Sequence, residues 1–441
     1  MRLRQAASIT NRVAAICFSL ATTVAYGQSV SEESHALDAV TPSWLQIGGQ
    51  LRARLEAPAG RDFVARSGHP YVLTRVRLNV AVTPLSWLKC FAEAQDTRAL
   101  GYHGSAPAPL QNPLDLRAAY LEAKHGDDRG AMLRVGRQEM AIGSSRLISI
   151  GPWSNTSKSF DAVRAAFYRP AIRAELIAGS IVQVDGSRFD RHKAGEHFFA
   201  SYNTIKNLLV PNSSIEPYLI AKVVTGGVAG ERGPPGDAVV YTGGFRWTGT
   251  LSGGIDYSAE MLRQWGSWAA DTMSAYAATY TLGWKIDQSN WQPRLSADYS
   301  FGSGDRNPND GRRGALDLLY GASQPFFSYT GMTSWRNLYT LRTGVDFSAG
   351  HHVKAVLDYR DFRLATVADG LYNSTGIRVV LNRKADSHHV GYGPDAHVVW
   401  TVGSYTEVTV GVAKIYAGAY LNESGKPGGY LYPYLMWARR F

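Results

Sequence analysis

The chain has 441 residues with 45 Gly, 24 Tyr and 11 Trp, only 19% charged residues, and a formal net charge of +10. Helical periodicity is almost absent and short extended runs are frequent, which argues against a helical protein and indicates a large β architecture with one apolar face. At this length, either several soluble domains or one large barrel would account for the chain.

The N-terminus has the pattern of an export signal. Three arginines precede a moderately apolar run over residues 13–25, and small residues follow it. This arrangement predicts a secretory signal peptide over residues 1–27, whose removal lowers the formal charge from +10 to +7. Export argues against nucleic acid as a partner of this basic chain and leaves an anionic lipid or an anionic solute.

A short polar periplasmic lead is predicted over residues 28–43, and a single barrel domain over residues 44–441. In the first two predicted strands, 44–56 and 71–83, apolar and polar side chains alternate strictly. The polar faces of these two strands carry Arg52, Arg54, Arg75 and Arg77. In a water-soluble barrel the apolar face would point inward, whereas in a membrane barrel it would point to lipid.

Three observations favour the membrane barrel over a soluble periplasmic β protein. The alternating runs reach about 10 to 13 residues, which suits a tilted spanning strand. Aromatic residues lie near predicted strand ends, as an interfacial girdle requires; they are Trp44, Tyr71, Trp87, Trp247, Trp335 and Trp400. The chain also ends on an aromatic residue, Phe441, which resembles the assembly signal of bacterial outer-membrane barrels.

Eighteen strands are predicted. They cover residues 44–56, 71–83, 87–97, 115–124, 131–138, 160–168, 171–183, 195–205, 214–224, 238–248, 252–262, 272–284, 291–302, 336–348, 351–363, 389–402, 405–416 and 429–441. The connections between them alternate between long and short, which is typical of extracellular loops and periplasmic turns and places both termini in the periplasm. The fold class is therefore all-β, an antiparallel transmembrane barrel in the bacterial outer membrane.

A barrel of this size leaves an aqueous lumen, so the inward-facing side chains bear on function. The inward cations on the best-patterned strands are Arg52, Arg54, Arg75, Arg77, Lys89, Arg134, Arg294 and Arg342. The inward carboxylates are Glu56, Glu93, Asp298 and Asp346. Rings of Arg and Lys in a pore favour anions. The alternative is that each cation pairs with a facing carboxylate and stiffens the wall.

The segment 133–164 enters as one strand and leaves as the next, and between them lies a long crossing rich in Gly, Ser and Asn. Its Ile148, Ile150 and Trp153 predict a packed loop, because apolar side chains of this size gain free energy when they are buried. We expect this loop to fold toward the lumen. A salt bridge between Arg137 and Asp161 would then set the width of the constriction; the alternative is that it only locks the loop to the wall.

Three segments resemble the alginate export family of outer-membrane barrels. The first carries Gly136-Arg137-Gln138, Gly143, Arg146-Leu147, Trp153 and Phe160-Asp161-x-Val163-Arg164. The second carries residues 302–311, Asp317, Leu319-Tyr320, Trp335-Arg336-Asn337 and Leu341-Arg342. The third carries His389, Tyr405, Gly411 and Gly418-x-Tyr420-Leu421. The chain departs from the family pattern at Leu316, where Phe is usual.

The resemblance implies an eighteen-stranded barrel that passes a polyuronate such as alginate through an electropositive lumen narrowed by loops. The predicted function is passive diffusion of an anionic polysaccharide or oligosaccharide, with a general or anion-selective solute porin as the alternative. The predicted pore and solute-binding residues are Arg52, Arg54, Arg75, Arg77, Arg134, Arg137, Asp161, Arg164, Arg294 and Arg342. No nucleophile elbow or paired-carboxylate motif stands out, so we predict no enzyme; a lipase would need a lipid-facing Ser and His pair.

Residues Asp305, Asn307 and Asn309 resemble the start of a calcium loop. The sixth position is Asp310 rather than Gly, and no Glu closes the loop at the twelfth position. We therefore expect no cofactor, with calcium at these residues as the alternative. The expected partners are the anionic saccharide, outer-membrane lipid and lipopolysaccharide, the barrel-assembly machinery during insertion and periplasmic export proteins.

Overall fold

The computed structural model describes residues 41–65, 67–286 and 291–441. The predicted signal peptide and residues 28–40 of the predicted lead lie outside the described residues. The rest forms a closed barrel of eighteen antiparallel strands, in which each strand pairs with its neighbours in the chain and the last strand pairs with the first. The predicted fold class and strand number are confirmed.

The strands are β1 Leu45–Glu56, β2 Tyr71–Leu85, β3 Leu88–Leu100, β4 Asn112–His125, β5 Gly130–Gln138, β6 Phe160–Arg169, β7 Ile172–Gln183, β8 Glu196–Lys206, β9 Ser213–Val228, β10 Gly236–Thr250, β11 Ile255–Trp268, β12 Asp271–Lys285, β13 Arg294–Gly302, β14 Leu338–Ala349, β15 Val353–Leu364, β16 His389–Val402, β17 Thr406–Ala417 and β18 Tyr430–Arg440. The prediction ended the eleventh strand at Leu262, but β11 continues because Gln264 is accommodated inside the barrel, where it hydrogen-bonds to Asp317 of a loop.

The apolar face of the strands points outward. Leu78 of β2 is 54% exposed, whereas Arg54 of β1 is 1% exposed inside the barrel. This arrangement inverts the pattern of a soluble protein and is the one that a lipid environment stabilises, because the apolar side chains then face hydrocarbon. A soluble periplasmic barrel is therefore excluded.

An outward aromatic band lies near the ends of the strands that the short turns join. It includes Trp44, Trp87, Trp284 and Trp400, all of them about half exposed. Two residues that the sequence assigned to this girdle lie inside instead. Tyr71 donates a hydrogen bond to the Glu56 carboxylate in the lumen, and Trp335 is buried in a loop that folds into the barrel.

The longest connections lie at one end of the barrel, here the long-loop end, where only the link between β11 and β12, residues 269–270, is a tight turn. The connections at the other end, the short-turn end, are all short. Both barrel termini are at the short-turn end, where the Gly49 and Phe441 backbones hydrogen-bond to each other. The only helices among the described residues are α1, Ala419–Glu423, and two 3₁₀ turns, Arg61–Phe63 and Ser252–Gly254. Within the described part of the chain, no helix is long and apolar enough to cross a membrane.

Two long loops enter the barrel and pack against its inner wall. We name residues 139–159 loop L3 and residues 303–337 loop L7. Their apolar side chains share one buried cluster with inward residues of the wall, and members of this cluster are Met140, Ile148, Phe160, Phe198, Tyr320, Phe327 and Trp335. The sequence predicted an aqueous lumen and a packed loop; the structure shows that the packed loops lie inside that lumen.

Candidate channel constriction

Loop L3 is attached to the wall by arginines of β1. Arg52 donates hydrogen bonds to the carbonyl oxygens of Pro152 and Ser154, at 3.3 and 3.2 Å, and to the Asn155 side chain at 2.9 Å. Arg54 donates to the Trp153 carbonyl oxygen at 2.8 Å, and its guanidinium lies over the Trp153 ring, 4.0 Å from the centroid. These two predicted pore residues hold the loop in place.

Asn155 is the central hydrogen-bonding residue of this attachment. It is fully buried, and its amide nitrogen donates to the carbonyl oxygens of Thr74, Arg98 and Leu110, at 3.1, 3.3 and 2.8 Å. A buried backbone carbonyl is destabilising unless it is hydrogen-bonded. Because Asn155 satisfies carbonyls from two strands and a second loop, it fixes the position of L3 against the wall.

Further guanidinium groups on β2 and β4 extend the attachment. Arg75 and Arg77 both lie 3.3 Å from the Ser157 hydroxyl, and Arg77 also lies 3.4 Å from the Glu139 carboxylate. Arg117 donates to Glu139 and, at 3.2 Å, to the Thr156 carbonyl oxygen. Burial alone would raise the pKa of Glu139, but Arg117 and Arg77 hold it below its usual value.

The arginines on the wall beneath L3 differ in their ion pairs. Of the five arginines on this wall, three form ion pairs with carboxylates: Arg54 with Glu56, and Arg77 and Arg117 with Glu93 and Glu139. Within the described residues, neither Arg52 nor Arg75 has a carboxylate oxygen at ion-pair distance. L3 covers these two arginines, and whether cations line the path of a solute stays a prediction.

Arg117 is missing from the predicted set because of a β-bulge. Leu121 of β4 is exposed on the outer face. Residue 117 is four positions earlier, so regular alternation would place it on the outer face as well. The pairing of β3 with β4 shifts register between Glu93 and Ala94, and this shift turns Arg117 inward. A bulge leaves no clear signature in a single sequence, so this residue could not be assigned to the lumen in advance.

L3 and L7 meet inside the barrel along a seam, which we define as residues 142–149 of L3 and residues 320–322 of L7. The Tyr320 N–H donates to the Leu147 carbonyl oxygen at 2.9 Å, and the Ala322 N–H donates to the Ser145 carbonyl oxygen at 3.0 Å. Gly321 is required here, since a Cβ at this position would lie 1.8 Å from the Arg146 carbonyl oxygen. The seam joins the two loops into one plug.

Lys158 reinforces the contact between the two loops. Its ammonium group donates to the carbonyl oxygens of Tyr320 and Gly321, at 2.9 and 2.5 Å. Burial lowers the pKa of Lys158 to about 8. Sequence analysis did not select this residue, because a single lysine in a polar loop carries no pattern that distinguishes it from a solvated one.

L7 is anchored to other strands of the wall. Its Asp317 carboxylate lies 3.3 Å from Lys222 of β9, and its backbone N–H donates to Gln264 of β11 at 2.8 Å. Burial would raise the pKa of Asp317, but the charges of Lys222 and Arg336 lower it. Asp395 of β16 accepts hydrogen bonds from the Ser328 hydroxyl and the Tyr329 N–H, each at 3.1 Å.

The predicted salt bridge between Arg137 and Asp161 is present, with nitrogen–oxygen distances of 2.8 and 3.1 Å. It does not line the lumen. Both residues have the same parity as the exposed Leu133 and Val135, and they therefore lie on the outward side of the wall, at its long-loop rim. There Arg137 also donates to the Asp190 carbonyl oxygen at 3.0 Å. This placement corrects the expectation that the pair narrows the pore.

The remaining predicted arginines point inward and are each paired with carboxylates. Arg134 pairs with Glu122, Arg164 with Glu175, Arg294 with Asp256 and Asp346, and Arg342 with Asp358. The alternative that carboxylates neutralise wall cations therefore describes these four residues. Whether any of the ten predicted residues contacts a solute stays a prediction.

The calcium-like motif forms turns in the structure. The Asn307 N–H donates to the Asp305 carboxylate at 3.2 Å, and the Asn309 N–H donates to the Asn307 carbonyl oxygen at 2.7 Å. Burial and the neighbouring Glu231 raise the pKa of Asp305 to about 7. In the part of the chain that the structure describes, no group of three or more His, Cys, Asp or Glu side chains is arranged to hold a metal ion.

Solved structures show the same fold at low sequence identity. The crystal structure of OccK3 (OpdO) from Pseudomonas aeruginosa superimposes with a TM-score of 0.61 and 10% identity, over 90% of this chain and 95% of that chain. OpdK from the same organism, crystallised with vanillate, gives a TM-score of 0.60 at 9% identity, over 90% and 98% of the two chains. A search of curated proteins finds no match.

At these identities the structures establish the fold alone, that of outer-membrane porins. A family profile described as Alginate export matches residues 43–428, which is nearly the whole of the predicted mature chain. The matched region includes L3, L7 and the arginines beneath L3. With its outward apolar face, its eighteen-stranded barrel and its inward loops, the chain belongs to the alginate export family.

Proposed function

We propose that this outer-membrane channel passes anionic oligosaccharides or polysaccharides of the polyuronate class by passive diffusion. The observation that supports the proposal is the positive charge on the inner wall of β1 and β2. There, within the described residues, Arg52 and Arg75 have no carboxylate oxygen at ion-pair distance, while Arg54 and Arg77 pair with carboxylates. A positive pore wall stabilises carboxylates that have lost hydration water and counterions. Transport further requires that each binding event is weak enough to release the solute again.

Selectivity of single channels tests this proposal. We expect the purified full-length protein in planar bilayers to show a reversal potential of the anion-selective sign under a salt gradient, since the uncompensated cations repel potassium. Short oligouronates should block the current, because each carboxylate binds the cationic wall during passage. Neutral oligosaccharides of the same length are the matched control. Cation selectivity without block by oligouronates would contradict the proposal.

A second candidate function is a porin for small organic anions. The plug formed by L3 and L7 favours it, since two loops that pack together inside the barrel narrow the path that a solute must take. One structurally similar protein, OpdK, was crystallised with vanillate, a small aromatic carboxylate. Equal permeability to monomeric anions, combined with no passage of oligouronates in liposome-swelling assays, would favour this function over the first.

We also propose that the long loops face the cell exterior and that both barrel termini are periplasmic, because long outer loops and short inner turns are typical of such barrels. Lipopolysaccharide would then surround the long-loop rim, and the barrel-assembly machinery would recognise the strand that ends at Phe441. Export partners would dock at the short-turn end. An epitope inserted between Ser374 and Gly376 should bind antibody on intact cells; binding only after permeabilisation would reverse the orientation.

A further inference from the structure

The arginine at the centre of the plug differs in its contacts from the arginines of the wall. Arg146 lies in L3 between Ser145 and Leu147, whose backbones are hydrogen-bonded to L7. Within the described residues, its side chain donates no hydrogen bond at all. Its one carboxylate contact is Asp298 of β13, at 3.6 Å. Arg52, Arg54, Arg75, Arg77 and Arg117 each donate at least two hydrogen bonds by comparison.

Rings of L7 hold the Arg146 side chain in place. The guanidinium carbon lies 4.3 Å from the centroid of the Phe326 ring and 6.0 Å from that of the Trp335 ring. A guanidinium stacks favourably on aromatic faces through its own plane. Its Nε is buried without an acceptor, and its two terminal nitrogens donate no hydrogen bond within the described residues. The side chain is thus positioned without its hydrogen-bonding capacity being used.

The surroundings of Arg146 compensate its charge only in part. Burial lowers the pKa of this guanidinium, Asp298 and Glu260 oppose that effect, and Arg246 and Arg342 reinforce it. Both carboxylates have other partners: Asp298 accepts the Thr281 hydroxyl at 2.8 Å, and Glu260 accepts the Ser144 hydroxyl at 2.6 Å. An additional carboxylate would find a positive, under-bonded group, of which about a tenth is exposed.

We infer that Arg146 is the specificity-determining residue of the channel, and that its guanidinium fork binds the carboxylate of the passing solute while the wall arginines keep L3 in place. The inference rests on the proposed function, since it names the residue that would carry anion recognition in that channel. Two parallel N–H···O bonds from a planar guanidinium match a carboxylate in geometry as well as in charge. A wall arginine could offer the same fork only after it had released L3.

Three variants of the full-length protein separate this role from a general charge effect. Arg146→Gln keeps a planar polar end without the charge. Arg146→Lys keeps the charge without the fork. Arg98→Gln is the matched control, because it removes an arginine at the long-loop rim that is 47% exposed and pairs with Asp96 outside the lumen. Folding of each variant is verified by the heat-modifiable mobility of the intact barrel in gels.

Arg146→Gln should lower the ratio of chloride to potassium permeability, and it should weaken block by a uronate trimer about tenfold or more, the loss expected for one charge-assisted pair of hydrogen bonds. Arg146→Lys should keep the permeability ratio and lose the block. Asp298→Asn, which leaves Arg146 intact, should strengthen the block because it removes the competing carboxylate. Because this variant leaves Arg146 unchanged, it still tests the role of Arg146 if substitutions at that residue prevent folding.

The outcomes distinguish the inference from the proposed function. If the unmodified channel shows no anion selectivity, the proposed function is contradicted. If it is anion-selective and Arg146→Gln behaves like Arg98→Gln, the function stands and the inference fails, since recognition then belongs to the wall arginines. If Arg146→Lys retains full trimer block, a point charge is sufficient and the role of the fork is overturned.

Discussion

Shortening L3 to a tight turn should increase the single-channel conductance several-fold and make the channel more strongly anion-selective. Gln138 of β5 pairs directly with Phe160 of β6, so the two strands can continue as a hairpin when residues 140–158 are replaced by an Asn-Gly turn. A barrel of eighteen strands encloses a wide lumen once its interior is not filled by loops. Removal of L3 would also expose the arginines that it now covers.

The direction of the selectivity change follows from the charges beneath L3. Deletion of residues 140–158 leaves Glu139 in place, so Arg77 and Arg117 keep this carboxylate partner and the deletion adds no negative charge. Arg52 would lose its three hydrogen bonds to L3 and point into the lumen. Conductance and reversal potential in planar bilayers measure both effects.

A variant in which residues 140–158 become a Gly/Ser segment of equal length is the control for loop length. It should also raise the conductance, though less than the deletion, since a flexible chain of the same length still occupies volume. If the deletion leaves the conductance unchanged while the barrel is folded, L3 is not the element that closes the lumen.

Replacement of Arg54 by Met should destabilise the barrel by about 3–5 kcal/mol, because it leaves the buried Glu56 carboxylate without its cation. The pair is almost fully buried: the two side chains are 1% and 3% exposed, and their nitrogen and oxygen atoms are 2.7 Å apart. The same substitution removes the hydrogen bond to the Trp153 carbonyl oxygen and the cation–π contact with its ring. Urea unfolding in detergent micelles, followed by tryptophan fluorescence, gives the free-energy difference.

The double variant Arg54→Met with Glu56→Gln separates the charge effect from the lost contacts with Trp153. It should recover most of the loss in unfolding free energy, since it removes the stranded carboxylate while the new amide oxygen still accepts the Tyr71 hydroxyl. Equal destabilisation of the single and double variants would show that attachment of L3, and not ion pairing, carries the energy.

Strand number and the sides of the strands could be predicted because both follow from local alternation. A strand with Leu51 and Leu55 on one side and Arg52 and Arg54 on the other has only one arrangement in lipid, where apolar groups must face hydrocarbon. By the same alternation, Arg137 lies on the outer face of β5 together with Leu133 and Val135. The family resemblance marked Arg137 and Asp161 as a pore pair, and the alternation in the sequence already indicated the outer face.

The sequence predicted which side chains point inward, but it did not predict which residues they contact there. Arg52 meets L3 about a hundred residues further along the chain, and Arg75 meets Ser157 at a similar separation. Contacts of this kind depend on how a long loop packs, for which neither strand period nor local propensity carries information. The bulge that turns Arg117 inward and the packing that buries Trp335 depend on tertiary structure for the same reason.

The sequence by itself determined the barrel, its eighteen strands and its lipid-facing side, because each depends on residue type at a fixed spacing of two along a strand. Only the tertiary structure decided that L3 and L7 join into a plug and that Arg54 and its neighbours hold this plug. The tertiary structure also decided that the Arg146 side chain donates no hydrogen bond within the described residues. The physical reason is that loops inside a barrel gain their free energy from packing and hydrogen bonds between distant segments, and these exist only once the barrel has closed.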